Sequence, residues 1–274
     1  MKKHLQSINW RDIILYIMPI VISNADIQPH LLDDGTTVLT TLTNFGYLLY
    51  TFNMLKSLRP YGLDKKILIV TIDEKSHIVL KNMGYHTICI HDSLVKFFPW
   101  NSKGYDKICY YKVELIYQIL SLGYNLVLID GDIVFQQNPV KDILEWNQSA
   151  EDVWIQNDTL DDNNTTNMCT GYMFIRSSKK MIDLYDCVSE AGKEKYKQCA
   201  FDNNDQTYFN KYVKPECTIK PFPLALYPNG DYFYNSSNLT TTVLVHFNWV
   251  KGHQKMAKMK AHKMWLLTPE EEMF

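Results

Sequence analysis

Four near-continuous apolar runs constrain this chain more than any other feature. They lie at Thr37–Thr43, residues 66–71, residues 86–90 and Asn125–Ile129. A strand that is apolar at almost every position must be covered on both faces. Between the runs stand helical patterns at residues 47–58, 74–83 and 108–122. Asn44 is placed to cap the first of these helices, and Gly84 and Gly123 to stop the other two. Val113, Ile116, Tyr117 and Leu120 form an apolar stripe on the third. Strands alternating with helices imply an α/β domain with a mostly parallel central sheet flanked by helices. Ligands of such sheets bind beyond the carboxyl ends of the strands.

The second half of the sequence is more mixed. Strands are expected at residues 153–156, 172–176 and 243–247. A polar, substrate-facing loop is expected at residues 157–167. Helices are expected at residues 178–191, with Ser177 or Ser178 as cap, and at residues 205–213. A basic helix is expected at residues 253–265, with Met256, Ala257, Met259, Ala261 and Trp265 packed inward and the lysines outward.

With 274 residues, 46% of them hydrophobic, the chain can bury a sizeable core. Twenty-eight basic and 30 acidic residues leave a net charge of −2, which argues against a nucleic-acid partner. Cys89, Cys109, Cys169, Cys187, Cys199 and Cys217 form no C-x-x-C pair, so they read as free thiols rather than a structural zinc site. Residues 13–22 are apolar but too short to span a bilayer, and the run carries Pro19. It reads as a packing segment of a cytoplasmic or otherwise soluble protein, the alternative being a signal for the secretory pathway or Golgi lumen. In that compartment Asn147, Asn157, Asn163, Asn164, Asn235 and Asn238 would be glycosylation acceptors.

The chemistry centres on Asp130-Gly131-Asp132, which follows the apolar strand ending at Ile129. Side chains at i and i+2 of an extended segment point the same way, so two carboxylates can aim at one place. Gly131 lets a ligand approach the backbone between them. Close carboxylates repel unless a cation or shared proton relieves them, and a hard divalent cation with oxygen ligands does so. The bland alternative is a turn with two solvated aspartates. The same residues also fit the D-x-D-x-T/V motif of haloacid-dehalogenase-like phosphatases, although three strand candidates precede them here.

The stretch from Tyr124 to Phe135, with Asn138-Pro139 after it, resembles the core motif of nucleotide-diphospho-sugar transferases. That group includes plant cell-wall xylosyl- and arabinosyltransferases and related galactosyltransferases. Thr40 to Asn44 followed by Tyr47 resembles the family's first strand and nucleotide loop. Residues 107–122 resemble its helix before the metal motif. Thr170 to Ser177, Asn204 to Asn210, and Val245 to Gly252 resemble its N-T-G-x-x-x-x-R-S, D-Q-x-x-F/L-N and V-H-x-N-W-x-x-G blocks. The blocks keep the family's order.

The resemblance implies a GT-A fold, a UDP-sugar donor, Mn²⁺ or Mg²⁺, and transfer with retention to a hydroxyl on a glycan or glycoprotein. It places the domain at residues 36–267, after an extension at residues 1–35. Residues 36–135 form the nucleotide half and residues 136–267 the acceptor half. Asp130, Asp132 and His246 would hold the metal. Thr41, Thr43, Asn44, Lys112, Asp130, Gly131, Thr170, Gly171, Lys251 and Gly252 would contact the nucleotide-sugar. Asp205 and Gln206 would lie at the transferred sugar. Each has an ordinary structural alternative. His246 can be a core histidine, and Lys112 and Lys251 can be solvated cations. Thr41, Thr43 and Asn44 can satisfy strand-end and capping bonds, and Asp205 can sit on a helix dipole. Cys169 departs from the family, where Asn usually precedes Thr170-Gly171. A sugar-binding module without turnover is a further alternative.

Overall fold

The computed structural model describes residues 19–99, 102, 104–198, 204–236, 239 and 241–273. Residues 13–18 of the apolar run, Cys199 and Asn238 lie outside them. The first half of the chain runs α1 (Asn24–Ile27), β1 (Thr37–Thr43), α2 (Leu48–Leu58), β2 (Leu68–Thr71), α3 (Glu74–Asn82), β3 (Thr87–Cys89), α4 (Tyr105–Ser121), β4 (Asn125–Ile129) and β5 (Ile133–Phe135). The second half runs α5 (Val140–Gln148), β6 (Val153–Asn157), β7 (Met168–Ile175), α6 (Lys179–Tyr185), α7 (Glu190–Gln198), α8 (Asp205–Tyr208), β8 (Ile219–Pro221), α9 (Gly230–Asn235), β9 (Leu244–His246) and α10 (His253–Ala261).

Seven strands form the main sheet in the order β3-β2-β1-β4-β7-β6-β8. Pairings among β3, β2, β1 and β4 are parallel, β7 is antiparallel to both β4 and β6, and β8 is parallel to β6. The expected mostly parallel sheet is therefore borne out, with β7 as the reversed strand. Alternate residues divide the core in two. Val38, Leu126 and Leu128 face α4 and α6, where Tyr111, Val113, Ile116 and Met181 are buried. Leu39, Val127 and Ile129 face α2 and α5, where Phe52, Leu55, Ile143 and Trp146 are buried. This is the physical meaning of apolar runs without alternation: both faces are interior.

A separate two-stranded ribbon pairs β5 with β9, antiparallel, with Ile133 opposite His246. Val134, Val245, Phe247 and Met259 form its own cluster beneath α10. The sequence reading missed β5, β8 and α9, which are too short to show a period, and α5, whose apolar Val140, Ile143, Leu144 and Trp146 do fall at helical spacing.

Two helix expectations are corrected. The helix expected at residues 178–191 breaks after Tyr185. The Asp186 carboxylate accepts from the Val188 and Ser189 amides, competing with helical bonds, and α7 starts anew at Glu190. The basic helix stops at Ala261 rather than residue 265. Lys263 is left-handed (φ 57°) and the Met264 amide returns to the Met259 carbonyl at 2.8 Å, a C-terminal closure. The strand expected at residues 172–176 begins earlier, at Met168, so Thr170 and Gly171 are strand residues. Asp205 starts α8 as expected, but the turn after it, Phe209–Val213, is wound as a π-helix.

The five described cysteines are free thiols, and no helix among the described residues is long and apolar enough to cross a membrane. Residues 19–35 pack on the domain through Ile20, Ile22 and Ile27. Asn157 is fully buried and its amide is bonded internally, so it is not a site for a glycan.

The N-terminal segment is also tied by a buried carboxylate. The Ile20 amide donates to Glu114 Oε1 at 3.1 Å, while Glu114 Oε2 is buried without a partner among the described residues. Burial pushes the Glu114 carboxyl up to about 7 from 4.5. A carboxyl with a raised folded pKa lends its stability below the unfolded pKa and loses it as pH rises through the folded one. Stability should therefore fall by about 3 kcal/mol between pH 4.5 and 8 from this group. Glu114→Gln is expected to flatten that decline and to raise Tm at pH 8, read by thermal denaturation across pH. An unchanged pH profile would remove Glu114 from the account.

Candidate active site

The order β3-β2-β1-β4 reverses direction between β1 and β4, and the crevice of such a sheet opens at the carboxyl ends of those strands. Thr43 and Asn44 end β1, and Asp130 follows β4. A cleft of about 840 Å³ opens there and is lined by every residue expected at the site except Thr41. Thr41 is fully buried inside β1, and its Oγ1 has no hydrogen-bond partner among the described residues.

Asp130 and Asp132 flank a turn between β4 and the ribbon. The Asp130 amide donates to the Gly171 carbonyl at 2.7 Å, which fixes the first carboxylate beside β7. The Phe247 amide donates to the Asp132 carbonyl at 3.0 Å, which brings β9 alongside the second. His246 Nε2 then stands 3.3 Å from Asp132 Oδ1, with both residues 3% exposed. Ligand atoms of Asp130, Asp132 and His246 all lie within 4.8 Å of one another. The orientation of the imidazole is set by Gln156. That side chain donates its Nε2 to the Tyr227 and Pro228 carbonyls, so its Oε1 must accept from His246 Nδ1, at 2.7 Å. Nε2 is left facing Asp132, the tautomer that a metal-bound histidine uses. Two carboxylates and a histidine so oriented fit a divalent cation.

Two lysines neutralise the aspartates. Lys112, on α4, bridges Asp130 Oδ1 and Asp205 Oδ2 at 2.8 Å each. Burial opposes the charge on Lys112, but the two carboxylates outweigh it and raise its pKa. Asp205 also accepts from Thr170 Oγ1 at 2.5 Å. Burial pushes the Asp205 carboxyl up, yet Lys112 and Thr170 together hold it below the usual range. Lys255, on α10, binds Asp132 Oδ2 and donates to Tyr47 OH at 2.9 Å. Burial pushes Asp132 up, but the Lys255 ammonium holds it well below the usual carboxylate range. Asp130 goes the other way: burial raises it and Lys112 only partly offsets this.

The remaining expected residues show both functional and structural reasons for being there. Asn44 Oδ1 caps the turn at Tyr47, and its Nδ2 donates to the Leu94 and Lys96 carbonyls at 2.7 Å, pinning the loop that carries Phe97 into the cleft. Thr43 Oγ1 is paired with Thr51 Oγ1 at 2.7 Å. A Cβ on Gly131 would meet Thr51 Oγ1 at 2.8 Å, so a neighbouring side chain already takes up the closeness expected for a ligand. A Cβ on Gly171 would lie 2.2 Å from the His246 ring, so this glycine makes room for the imidazole. Gly252 (φ 52°) has open space at that position, and its carbonyl accepts from Tyr50 OH. Lys251 lines the cleft and is exposed. Gln206 donates to Asp158 and Asn167.

Three residues escaped the sequence reading. Lys255 was expected to face solvent with the other lysines of α10, but it is buried against Asp132. Its place four residues before the fully buried Met259 put it on the inner face, and this was the available signal. Gln156 and Asp158 carried none that composition or period could reveal. Trp249 was read only as part of the Val245 to Gly252 block, with no role of its own. Asp158 accepts from Asn248 and Trp249 on Oδ1 and from Asn167 and Gln206 on Oδ2. Trp249 is 58% exposed and left-handed (φ 62°), a backbone state that costs about 1–2 kcal/mol for a non-glycine residue.

Gly171→Ala is expected to push the His246 ring off Asp132 and to destabilise the fold by about 1–3 kcal/mol, measured by chemical denaturation. A variant as stable as the parent would show that the imidazole is not wedged against β7.

The sequence profile of the nucleotide-diphospho-sugar transferases matches residues 62–261, well over half of the chain. Among curated proteins, the chain is 24% identical over 260 residues to the UDP-D-xylose:L-fucose alpha-1,3-D-xylosyltransferase 3 of Arabidopsis thaliana, covering 84% of this chain and 67% of that one. It is 21% identical to the UDP-galactose:fucoside alpha-3-galactosyltransferase of Dictyostelium discoideum, covering 85% of this chain but only 43% of that longer protein. Its fold is similar to that of mouse xyloside xylosyltransferase 1 (TM-score 0.51, 13% identity, 77% of this chain and 97% of the other). It is also similar to that of the glycosyltransferase GlyE of Streptococcus pneumoniae (TM-score 0.52, 13% identity, 85% and 60%). The expected fold class is thus met in solved glycosyltransferases, and the chain belongs to the nucleotide-diphospho-sugar transferase family.

Proposed function

We propose that the chain is a metal-dependent glycosyltransferase that moves a sugar, with retention, from a UDP-sugar to a hydroxyl of a glycan or glycoprotein. The observation that carries this reading is the meeting of Asp130, Asp132 and His246 with Lys112 and Lys255 on one wall of the cleft. Family membership disfavours the phosphatase alternative.

Mn²⁺ or Mg²⁺ would be held by Asp130, Asp132 and His246, and when bound would offset the charge gathering on the departing diphosphate. Lys112 and Lys255 are within reach of the same charge, as fixed cations in a water-poor cleft. Thr43 and Asn44 border the nucleotide at the end of β1. Asp205, ionised and braced by Lys112 and Thr170, holds Lys112 beside Asp130 and faces the transferred sugar together with Gln206. Retention is supported by the relatives' names, since an α linkage made from an α-configured UDP-sugar keeps the anomeric configuration.

UDP release should be followed with UDP-xylose and UDP-galactose first, then a wider panel, with Mn²⁺ or with chelator. Release is expected to rise at least about tenfold with the cation. Metal-independent or absent release across the panel would overturn the reading. Asp132→Ala is expected to lose at least about 100-fold in turnover while keeping its far-ultraviolet circular dichroism. Lys255→Met removes the ammonium that competes for Asp132. It should therefore tighten Mn²⁺ binding about tenfold without nucleotide, read by the loss of free-ion paramagnetic resonance. Unchanged Mn²⁺ affinity would separate Lys255 from the cation site.

A further inference from the structure

The carboxyl edge of the main sheet is laid out as a line. β6 runs parallel to β4, because each is antiparallel to β7 between them. Asn44 after β1, Asp130 after β4 and Asp158 after β6 therefore stand on one edge in that order, with Asn167, at the start of β7, between the last two. At about 4.8 Å per strand, Asp158 lies roughly 10 Å beyond Asp130, on the side away from Asn44. That is about the reach of one sugar ring past the point of chemistry.

The far end has its own construction. Asp158 presents no open lone pair, since four donors fill both oxygens at 2.9–3.1 Å. Its work is to orient those donors. Asn167, Gln206 and Asn248 are all amides. Gln206 spends its N–H groups on Asp158 and Asn167, which leaves its Oε1 to accept. Asn167 and Asn248 have their oxygens taken, and Asn167 keeps a second N–H to donate, so the set can offer a hydroxyl both roles. Trp249 is an indole held by its own N–H, in a left-handed backbone, with its ring more than half exposed on the cleft. An apolar ring kept open to water in a costly conformation points to a ligand that covers it. A pyranose offers such a match, with C–H groups on one face and hydroxyls around the rim.

We infer that Trp249, with the amides oriented by Asp158, forms the acceptor-sugar subsite, in which the ring of an acceptor pyranose stacks on the indole. The inference rests on the transferase reading above and extends it to the acceptor. Trp249 acts as a specificity residue and Asp158 as its positioning residue.

Two measurements test it, with methyl α-L-fucopyranoside as probe, chosen from the relatives' named acceptors. The first is kinetic. Trp249→Ala should raise the KM for the probe about tenfold, with Trp249→Phe between it and the parent. Donor hydrolysis without acceptor and the affinity for UDP should stay within about twofold of the parent. An unchanged acceptor KM overturns the subsite. So does an equal loss of UDP affinity, which would move Trp249 to the donor. The second needs no turnover. The probe should quench or shift the tryptophan fluorescence of the parent protein, and Trp249→Phe should abolish that change. No difference between the two proteins overturns the inference. A parent that turns over no nucleotide-sugar but shows the Trp249-dependent change defeats the transferase reading alone.

Discussion

Repulsion among carboxylates governs the centre of this protein. Asp132 and Asp205 are buried and Asp130 lies half-buried between them, and the two buried carboxylates are not tolerable there without a counter-charge. The fold answers with Lys112 from α4 and Lys255 from α10, each buried and each donating to the acids. Pairs of this kind contribute little net stability, because desolvation of both partners offsets most of their attraction. What they supply is placement. Two lysines arriving from distant segments fix the acids on one wall of the cleft.

The scaffold supports this through backbone pairing rather than side-chain packing. The Asp130 amide on Gly171 and the Phe247 amide on Asp132 lock the acidic turn between β7 and β9. Gly171 then has to be glycine, since any Cβ would occupy the space of the His246 ring. Gln156 gives the imidazole its orientation from the opposite side. Three strands thus contribute to one histidine, and its geometry is over-determined in the way metal-binding histidines require.

The first half of the chain was legible because its signals are long and local. Asn125–Ile129 was read to the residue, and β1 likewise, because an apolar run bounded by polar residues leaves little choice of register. The D-x-D at the end of β4 followed from that. The second half was harder. Asp186 ends a helix through an Asx-type bond that no hydrophobic period registers, and β8 and α9 are only three and six residues long. Within the site, Asp130, Asp132, His246, Lys112 and Asp205 were found through ordered motif blocks. Their mutual contacts were not, because contacts depend on which strands become neighbours. Lys255 was misread for the same reason. A lysine on a basic helix looks solvated until the buried acid opposite it is known.

The ribbon has a further consequence, for the order in which the protein assembles. Lys255 and Asp132 are 123 residues apart in sequence, yet they share one contact at the centre of the cleft. Contacts of such separation form late, after the loop entropy between their ends has been overcome. During synthesis, β1 to β4 can settle and bury their faces while Asp132 still lacks both its histidine and its lysine. A nascent chain of that length would hold a nearly complete nucleotide wall with an unbalanced acidic centre. Competence at the site therefore waits until residues 246 to 255 have been made and β9 docks beside β5.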